Sequence, residues 1–192
     1  MKNTLLVLLS LIMIVFSTSA FAQIVGELVQ RNGLYYAPFT TTPINGTHET
    51  FYPSGQLHSI KTYKDGKQDG LGEIYYENGQ LQARGTYKDG ILDGFFEGYY
   101  ENGQPQARGT LKDGIMDGLN ESYYANGQLQ GRGTYKDGKR DGLWEYYHEN
   151  GQLAWRLTYK DGEREGLFEM FEQDGTLSSK CFYVNGVKQE CE

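Results

Sequence analysis

The sequence has few histidines, cysteines and prolines, and these shortages exclude several classes of protein. Its 192 residues include 3 His, 2 Cys and 4 Pro. The histidines, His48, His58 and His148, lack zinc-ligand spacing and form no Ser-His-Asp or Cys-His arrangement with their neighbours. The nonapeptide pattern of calcium-binding repeats is also missing. We therefore expect neither an enzyme nor a metal or cofactor site.

Beyond its first two dozen residues, the chain also lacks long apolar runs and any 3.6-residue period. The missing period argues against helices. The formal net charge of -7 argues against nucleic acid and against anionic lipid as partners. We expect no nucleic-acid binding, and no membrane insertion once the N-terminal segment described next has been removed.

The N-terminal segment has the pattern of a secretory signal peptide. Lys2 provides a positive start, residues 5–16 are apolar apart from Ser10, and Ala20-Phe21-Ala22 has the small-x-small pattern of a cleavage site. The apolar run is short for a bilayer span, although an uncleaved anchor is the alternative. We predict a signal peptide over residues 1–22 and export to the periplasm or the extracellular space.

Both cysteines, Cys181 and Cys191, lie near the C-terminus. Exported proteins meet oxidising conditions, so a disulfide between the two is expected. Free thiols on a frayed tail are the alternative. No Cys-x-x-Cys motif is present, which argues against redox catalysis.

What the sequence does have is a repeat of 24 residues rich in Gly (26) and Tyr (16). Six units open at Gly46, Gly70, Gly94, Gly118, Gly142 and Gly166, and are numbered one to six here. Each has two strand-like runs and two glycine turns. We predict an all-β fold, an elongated single-layer antiparallel meander of tandem 24-residue β-hairpins. Residues 23–45, with a hairpin at Asn32-Gly33, form an N-terminal cap, and residues 46–192 hold six repeats and a C-terminal cap.

The turn within each unit decides which side chains share a face. In unit one it reads Tyr52-Pro53-Ser54-Gly55, which favours a type I turn closed by a bulged glycine over a two-residue type I′ turn. This turn places Glu73 opposite Ala83, whereas the alternative places Glu73 opposite Arg84. We predict the first register.

One strand position is glutamate in all six units. The resulting Glu ladder comprises Glu49, Glu73, Glu97, Glu121, Glu145 and Glu169. A half-buried carboxylate needs hydrogen-bond donors, and we expect backbone N–H groups of neighbouring turns to supply them. Six similar environments argue against a catalytic carboxylate pair, which needs two different ones.

The predicted register puts the variable strand positions, which are rich in aromatic residues and arginine, on the other face. Aromatic and arginine side chains dominate interface hot spots, although cross-strand packing that only strengthens the sheet is the alternative. The candidate partner-binding residues are Tyr76, Arg84, Phe96, Tyr100, Arg108, Tyr124, Arg132, Trp144, Tyr146, Arg156 and Phe168.

The repeat resembles a known one. Tyr-Tyr-Glu-Asn-Gly-Gln-Leu (residues 75–81), Tyr-Lys-Asp-Gly (87–90) and Asp-Gly-Leu-Trp-Glu-Tyr-Tyr (141–147) are similar to the bacterial variant of the MORN repeat, found in YwqK-like antitoxins. The likeness covers residues 46 to about 186. It implies an all-β hairpin array that binds other macromolecules, with an antitoxin or immunity-like role.

These observations lead to one functional hypothesis and one rival. The first is an exported repeat scaffold that mediates protein–protein interaction. The rival is a module that binds carbohydrate or the cell wall, because hairpin repeats rich in Tyr and Gly can also stack on sugars.

Overall fold

The computed structural model of the chain describes residues 24, 25 and 27–192, and the predicted signal peptide lies outside them. These residues form sixteen strands: β1 (Ile24–Val25), β2 (Val29–Arg31), β3 (Leu34–Tyr36), β4 (Gly46–Phe51), β5 (Leu57–Lys64), β6 (Lys67–Tyr75), β7 (Leu81–Lys88), β8 (Ile91–Tyr99), β9 (Pro105–Lys112), β10 (Ile115–Tyr123), β11 (Leu129–Lys136), β12 (Lys139–Tyr147), β13 (Leu153–Lys160), β14 (Glu163–Phe171), β15 (Leu177–Val184) and β16 (Val187–Cys191).

The strands lie in one long sheet and one separate hairpin. From β4 to β16, every strand pairs antiparallel with the next strand in the chain, so thirteen strands form a continuous meander. This confirms the predicted all-β fold. β1 was not predicted, and it pairs parallel with the outer edge of β4 at His48 and Glu49. β2 and β3 form the hairpin predicted at Asn32-Gly33.

Two kinds of turn alternate along the meander. Within a unit, the Gly79 N–H donates to the Tyr76 carbonyl at 2.9 Å and the Tyr76 N–H donates to the Gln80 carbonyl at 2.8 Å. Gly79 has φ +85°, so this is the predicted type I turn with a bulged glycine. Between units, Lys88 pairs with Ile91 across Asp89 and Gly90, both with positive φ, which makes a two-residue type I′ turn. The turn therefore consists of Asp89 and Gly90, and residues 91–94 belong to β8.

The predicted register is wrong by one residue, although the predicted turn is right. Tyr75 pairs with Leu81 as expected, but Ile74 then pairs with Ala83 and Glu73 with Arg84. Gln82 is an extra residue, so a second β-bulge lies just after the turn and shifts every later pair. Arg84 consequently lies on the same face as Glu73. The same shift recurs in every unit from β4–β5 to β14–β15.

The sheet therefore has two faces with different chemistry. The charged face carries the Glu ladder, the arginines paired with it and the exposed side chains of Leu71, Phe95, Leu119, Leu143 and Leu167. The aromatic face carries the side chains that alternate with these, including Phe96, Trp144 and Leu157. Of the two faces, the aromatic one holds the larger cluster of buried residues.

Both ends of the meander carry additional structure. At the N-terminal end, the Tyr35 N–H donates to the Gly66 carbonyl at 2.7 Å, and the Tyr35 ring meets the Tyr63 ring edge-on with centroids 5.3 Å apart. Ile44 is buried there. At the other end, Cys181 and Cys191 form a disulfide that joins β15 to β16. In the described part of the chain, no helix has the length and apolar character needed to cross a membrane.

Candidate binding groove

The glutamates of the ladder form a row of alternating charges with the arginines. Arg84 lies between Glu73 and Glu97 on the two neighbouring strands, and its Nε donates to the Glu97 carboxylate at 2.5 Å. Equivalent ion pairs join Arg108 to Glu121, Arg132 to Glu145 and Arg156 to Glu169. Glu49, at the start of the row, pairs across the strands with Ile60.

Tyrosine hydroxyls donate to four of the six ladder carboxylates. The Tyr75 hydroxyl donates to Glu73 at 3.0 Å, and Tyr99, Tyr123 and Tyr147 repeat the bond in the next three units. The expectation that backbone N–H groups of turns would satisfy the ladder is therefore wrong for these glutamates. The bulge at Gln82 is the reason, because it moves arginine onto the face that the sequence pattern had assigned to alanine.

The electrostatics of the row follow from these contacts. Burial raises the pKa of Glu97, but the hydrogen bonds from Arg84 and Tyr99 outweigh burial and lower it below its ordinary value. Burial, followed by the bond to Glu97, raises the pKa of the Tyr99 hydroxyl. At Glu97, the row thus favours the ionised carboxylate beside its arginine and tyrosine donors.

The predicted partner-binding residues do not share one face. The arginines among them, Arg84, Arg108, Arg132 and Arg156, belong to the charged face. Three of the tyrosines lie at the turns within the units, namely Tyr76, Tyr100 and Tyr124. Each of their hydroxyls donates at 2.7–2.8 Å to the carbonyl of a residue 23 positions later. These three tyrosines therefore connect successive units. The remaining four, Phe96, Trp144, Tyr146 and Phe168, are on the aromatic face.

In units five and six, the aromatic face is filled by the chain's own side chains. Trp144 and Leu157 are each 2% exposed, and Tyr159, Cys181 and Tyr183 are buried beside them. The Tyr146 ring stacks on the Trp155 ring with centroids 4.2 Å apart. Arg140 covers the cluster, with its guanidinium 4.3 Å from the centroid of the Trp144 ring. Trp144 lies flat against Gly133, where any larger residue would collide with the indole ring.

In units two and three, the same face is open. Gly98 pairs with Ala83 on one side and with Ala107 on the other. Two units later in the sheet, Gly98 corresponds to Tyr146, Ala83 to Gly131 and Ala107 to Trp155. The small residues leave a groove of about 340 Å³, which is walled by Ile74, Tyr87, Leu92 and Phe96. This volume is at the lower end of the range for ligand sites in proteins, about 300–1,000 Å³.

Gly98 marks the emptiest part of the groove floor. A Cβ placed on Gly98 would find no atom outside its chain neighbours closer than the Gln106 Oε1 at 3.8 Å. The neighbouring glycines differ, since a Cβ on Gly85 would lie 2.8 Å from Leu92 and one on Gly109 would lie 2.8 Å from Phe96. Gly85 and Gly109 thus make room for side chains of the chain itself, whereas a Cβ at Gly98 would make only ordinary van der Waals contacts.

Comparison with protein families matches the chain to the MORN repeat variant in six segments, residues 44–65, 68–89, 92–113, 116–137, 140–161 and 164–185. The chain belongs to the MORN-repeat-variant family. Each matched segment of this MORN-variant array starts two residues before the glycine that opens the corresponding unit defined above. No curated protein matches the chain.

Within residues 27–192, no group of three or more His, Cys, Asp or Glu side chains is placed to hold a metal ion. Six tandem MORN repeats are consistent with a scaffold for protein or membrane interaction. The groove of units two and three combines a concave shape with a largely apolar lining.

Sequence reasoning missed the residues that define the groove. Ala83, Gly98 and Ala107 were not among the predicted partner-binding residues, and Lys61, which also lines the groove, was not considered. The signal was available in the aligned repeats. Trp155 of unit five corresponds to Ala83 in unit two and Ala107 in unit three, and Tyr146 of unit five corresponds to Gly98 in unit three. A search for large aromatic and arginine side chains does not find a groove that exists because its floor residues are small.

Proposed function

We propose that this chain is an exported repeat scaffold that binds a protein partner in the groove of units two and three. One observation carries the proposal: a face that is closed by aromatic side chains in unit five is held open by Ala83, Gly98 and Ala107. An apolar recess of this kind can accept an anchoring side chain, and such anchors dominate the energetics of protein interfaces.

The openness of the groove has a cost to the fold. Glycine within a strand is less stable than alanine by about 0.5–1 kcal/mol, and Gly98 belongs to β8, where it pairs with a neighbouring strand on each side. No close contact at Gly98 requires the small residue. Neither the backbone conformation nor the packing requires glycine at position 98. This supports the proposal that the space above Gly98 is used for binding.

The chemistry of the groove favours a protein over the other candidates. Its walls include the apolar side chains Ile74, Leu92 and Phe96, which suit a hydrophobic side chain. The net charge of -7 weakens attraction to anionic lipid. Export rests on the N-terminal signal pattern, and the resemblance to YwqK-like antitoxins makes a secreted or periplasmic toxin the first class of partner to test.

The test is capture of a partner that depends on the groove. The tagged full-length chain is expressed with its own N-terminus, recovered from the envelope fraction with cross-linking, and analysed by mass spectrometry. The variant Gly98→Tyr fills the groove with the residue found at this position in unit five. Ala125→Tyr makes a similar addition on an exposed turn and is the matched control.

We expect a protein that is captured by the wild type and by Ala125→Tyr but lost with Gly98→Tyr, while all three chains give the same circular dichroism spectrum. Capture that survives Gly98→Tyr would contradict the groove as the binding site. Co-sedimentation with purified peptidoglycan or polysaccharide, with no groove-dependent protein, would instead support the carbohydrate-binding alternative.

A further inference from the structure

We propose that the groove recognises a peptide segment with a bulky apolar side chain and, a few residues away, a carboxylate that pairs with Lys61. This inference rests on the proposed function and specifies the chemistry of the partner. It combines the shape of the groove floor with the charge at one end of the groove.

The fold itself indicates what fits the floor. Across three neighbouring strands of units two and three, the floor reads Ala83, Gly98, Ala107. The equivalent positions across β11, β12 and β13 read Gly131, Tyr146, Trp155, and there the two rings stack on each other. A space that one part of the sheet fills with aromatic rings is left free in another part. An aromatic or large aliphatic side chain from a partner is the matching occupant.

Lys61 provides a charge with no partner on the same face. It pairs across the strands with Gly72, so its side chain projects from the aromatic face at the groove, where it is half-buried. Three other charged residues border the groove, Glu73, Arg84 and Glu97, but they project from the opposite face. Among the residues that the structure describes, none forms an ion pair or a side-chain hydrogen bond with Lys61. A half-buried ammonium of this kind favours a carboxylate as its partner.

The distance between the two features sets the spacing of the ligand. Lys61 is on β5 and Gly98 is on β8, three strand spacings apart, or about 14 Å. An extended peptide rises about 3.3 Å per residue. A carboxylate two to four residues from the apolar side chain can therefore meet the Lys61 ammonium. Gln106, exposed at the rim near Gly98, can bond the peptide backbone.

Defined peptides test this chemistry directly. The probes are acetylated, amidated heptapeptides of sequence Gly-Ser-Trp-Ser-Ser-X-Gly, in which X is Glu, Gln or Lys. Binding to the 15N-labelled chain is followed by NMR, and shifts are expected at the amides of Gly72, Gly85 and Gly98. We expect the Glu peptide to bind at least five-fold more tightly than the Gln peptide, and Gly98→Tyr to abolish the shifts.

The variant Lys61→Glu tests whether the charge of residue 61 sets the preference for the Glu peptide. It should reverse the preference, so that the Lys peptide binds more tightly than the Glu peptide. Equal affinity of all three peptides for the wild type would overturn the role of Lys61. An absence of shifts at the groove glycines with every peptide would overturn the proposal altogether, and so would tighter binding of free indole propionate than of the Glu peptide.

The outcome can be separated from that of the proposed function. A natural partner lost with Gly98→Tyr but bound equally by Lys61→Glu leaves the scaffold function standing and refutes the carboxylate requirement. Peptide binding with the predicted charge preference, but no groove-dependent partner in the envelope, supports the site chemistry and contradicts the proposed function. Lys61→Gln is the matched control, and it should weaken the Glu peptide without creating a preference for the Lys peptide.

Discussion

Units two and three and units five and six use the same strands, turns and charged row, yet their aromatic faces differ. In unit five, Trp144 is 2% exposed and Tyr146 stacks on Trp155. In unit three, Phe96 stands at the edge of an open groove and Gly98 replaces the tyrosine. The comparison shows that the backbone of the sheet does not need a filled face. The face can therefore be filled by side chains in one region and left open in another.

The largest expected effect is on the filled region. Trp144→Ala should lower the free energy of unfolding by about 3–5 kcal/mol, because it leaves a cavity where an enclosed ring had been. Phe96→Ala, at the equivalent position of unit three, should lower it by about 1–2 kcal/mol, since Phe96 is half-buried beside open space. Urea denaturation followed by circular dichroism measures both. Equal losses would show that the two regions are packed alike.

The disulfide should matter to the filled region and not to the groove. Replacing both Cys181 and Cys191 with alanine should lower the free energy of unfolding by about 2–3 kcal/mol, because the loop between them is no longer closed in the unfolded chain. Hydrogen exchange should accelerate at Leu157 and Tyr159 and stay unchanged at Ala83 and Gly98. Equal acceleration at all four amides would contradict a separation of the two regions.

The charged row behind the groove should respond to acid. Because the pKa of Glu97 is lower in the folded chain than in the unfolded one, its ionised form stabilises the fold above the ordinary value of 4.5, and that contribution is lost as pH falls through the folded value. Glu97→Gln should remove about 0.5–1 kcal/mol of stability at neutral pH. It should also flatten the acid limb of a pH–stability curve.

Glu77→Gln is the matched control for this acid response. Glu77 is exposed on a turn of unit two, outside the row, so its replacement should leave both the neutral stability and the acid limb unchanged. An acid limb that stays the same in Glu97→Gln would show that the row does not contribute to folding.

The smallest expected effect has the opposite sign. Gly98→Ile should raise the free energy of unfolding by about 0.5–1 kcal/mol, because a β-branched residue replaces glycine where a side chain meets no obstacle. The equivalent residue in unit two is Ile74. Thermal melts of the wild-type chain and of Gly98→Ile are sufficient to detect the change. A loss of stability would mean that the groove floor is less open than its geometry indicates.

The sequence predicts the architecture well because each unit repeats the same turn chemistry. The Asn-Gly and Asp-Gly pairs and the Tyr52-Pro53-Ser54-Gly55 turn identify the hairpins correctly. The register failed at Gln82, since a bulge without glycine has no sequence signature and depends on how neighbouring strands pair. β1 was missed because two residues are too few to show a pattern.

The candidate site was harder to predict than the fold. Trp144 and Arg84 are the residue types expected at an interface, but Trp144 is enclosed by its neighbours and Arg84 is paired with Glu97. A large side chain can contact a partner only where its own neighbours leave it exposed. An error of one residue in the register assigns the wrong neighbours to it. Lys61 and Gly98 can be recognised as groove residues only when the pairing of the neighbouring strands is known.

The charged row also bears on how such a chain can change in length. Each complete unit from two to five contributes one glutamate and one arginine to the row. It also contributes, at the turn within the unit, one tyrosine or histidine that bonds to a carbonyl 23 residues later. Duplication or loss of an entire unit therefore leaves donors and acceptors matched at the new junction. The copy number of the repeat can vary in evolution without a compensating substitution, and a recess such as the groove can be gained or lost with a single copy.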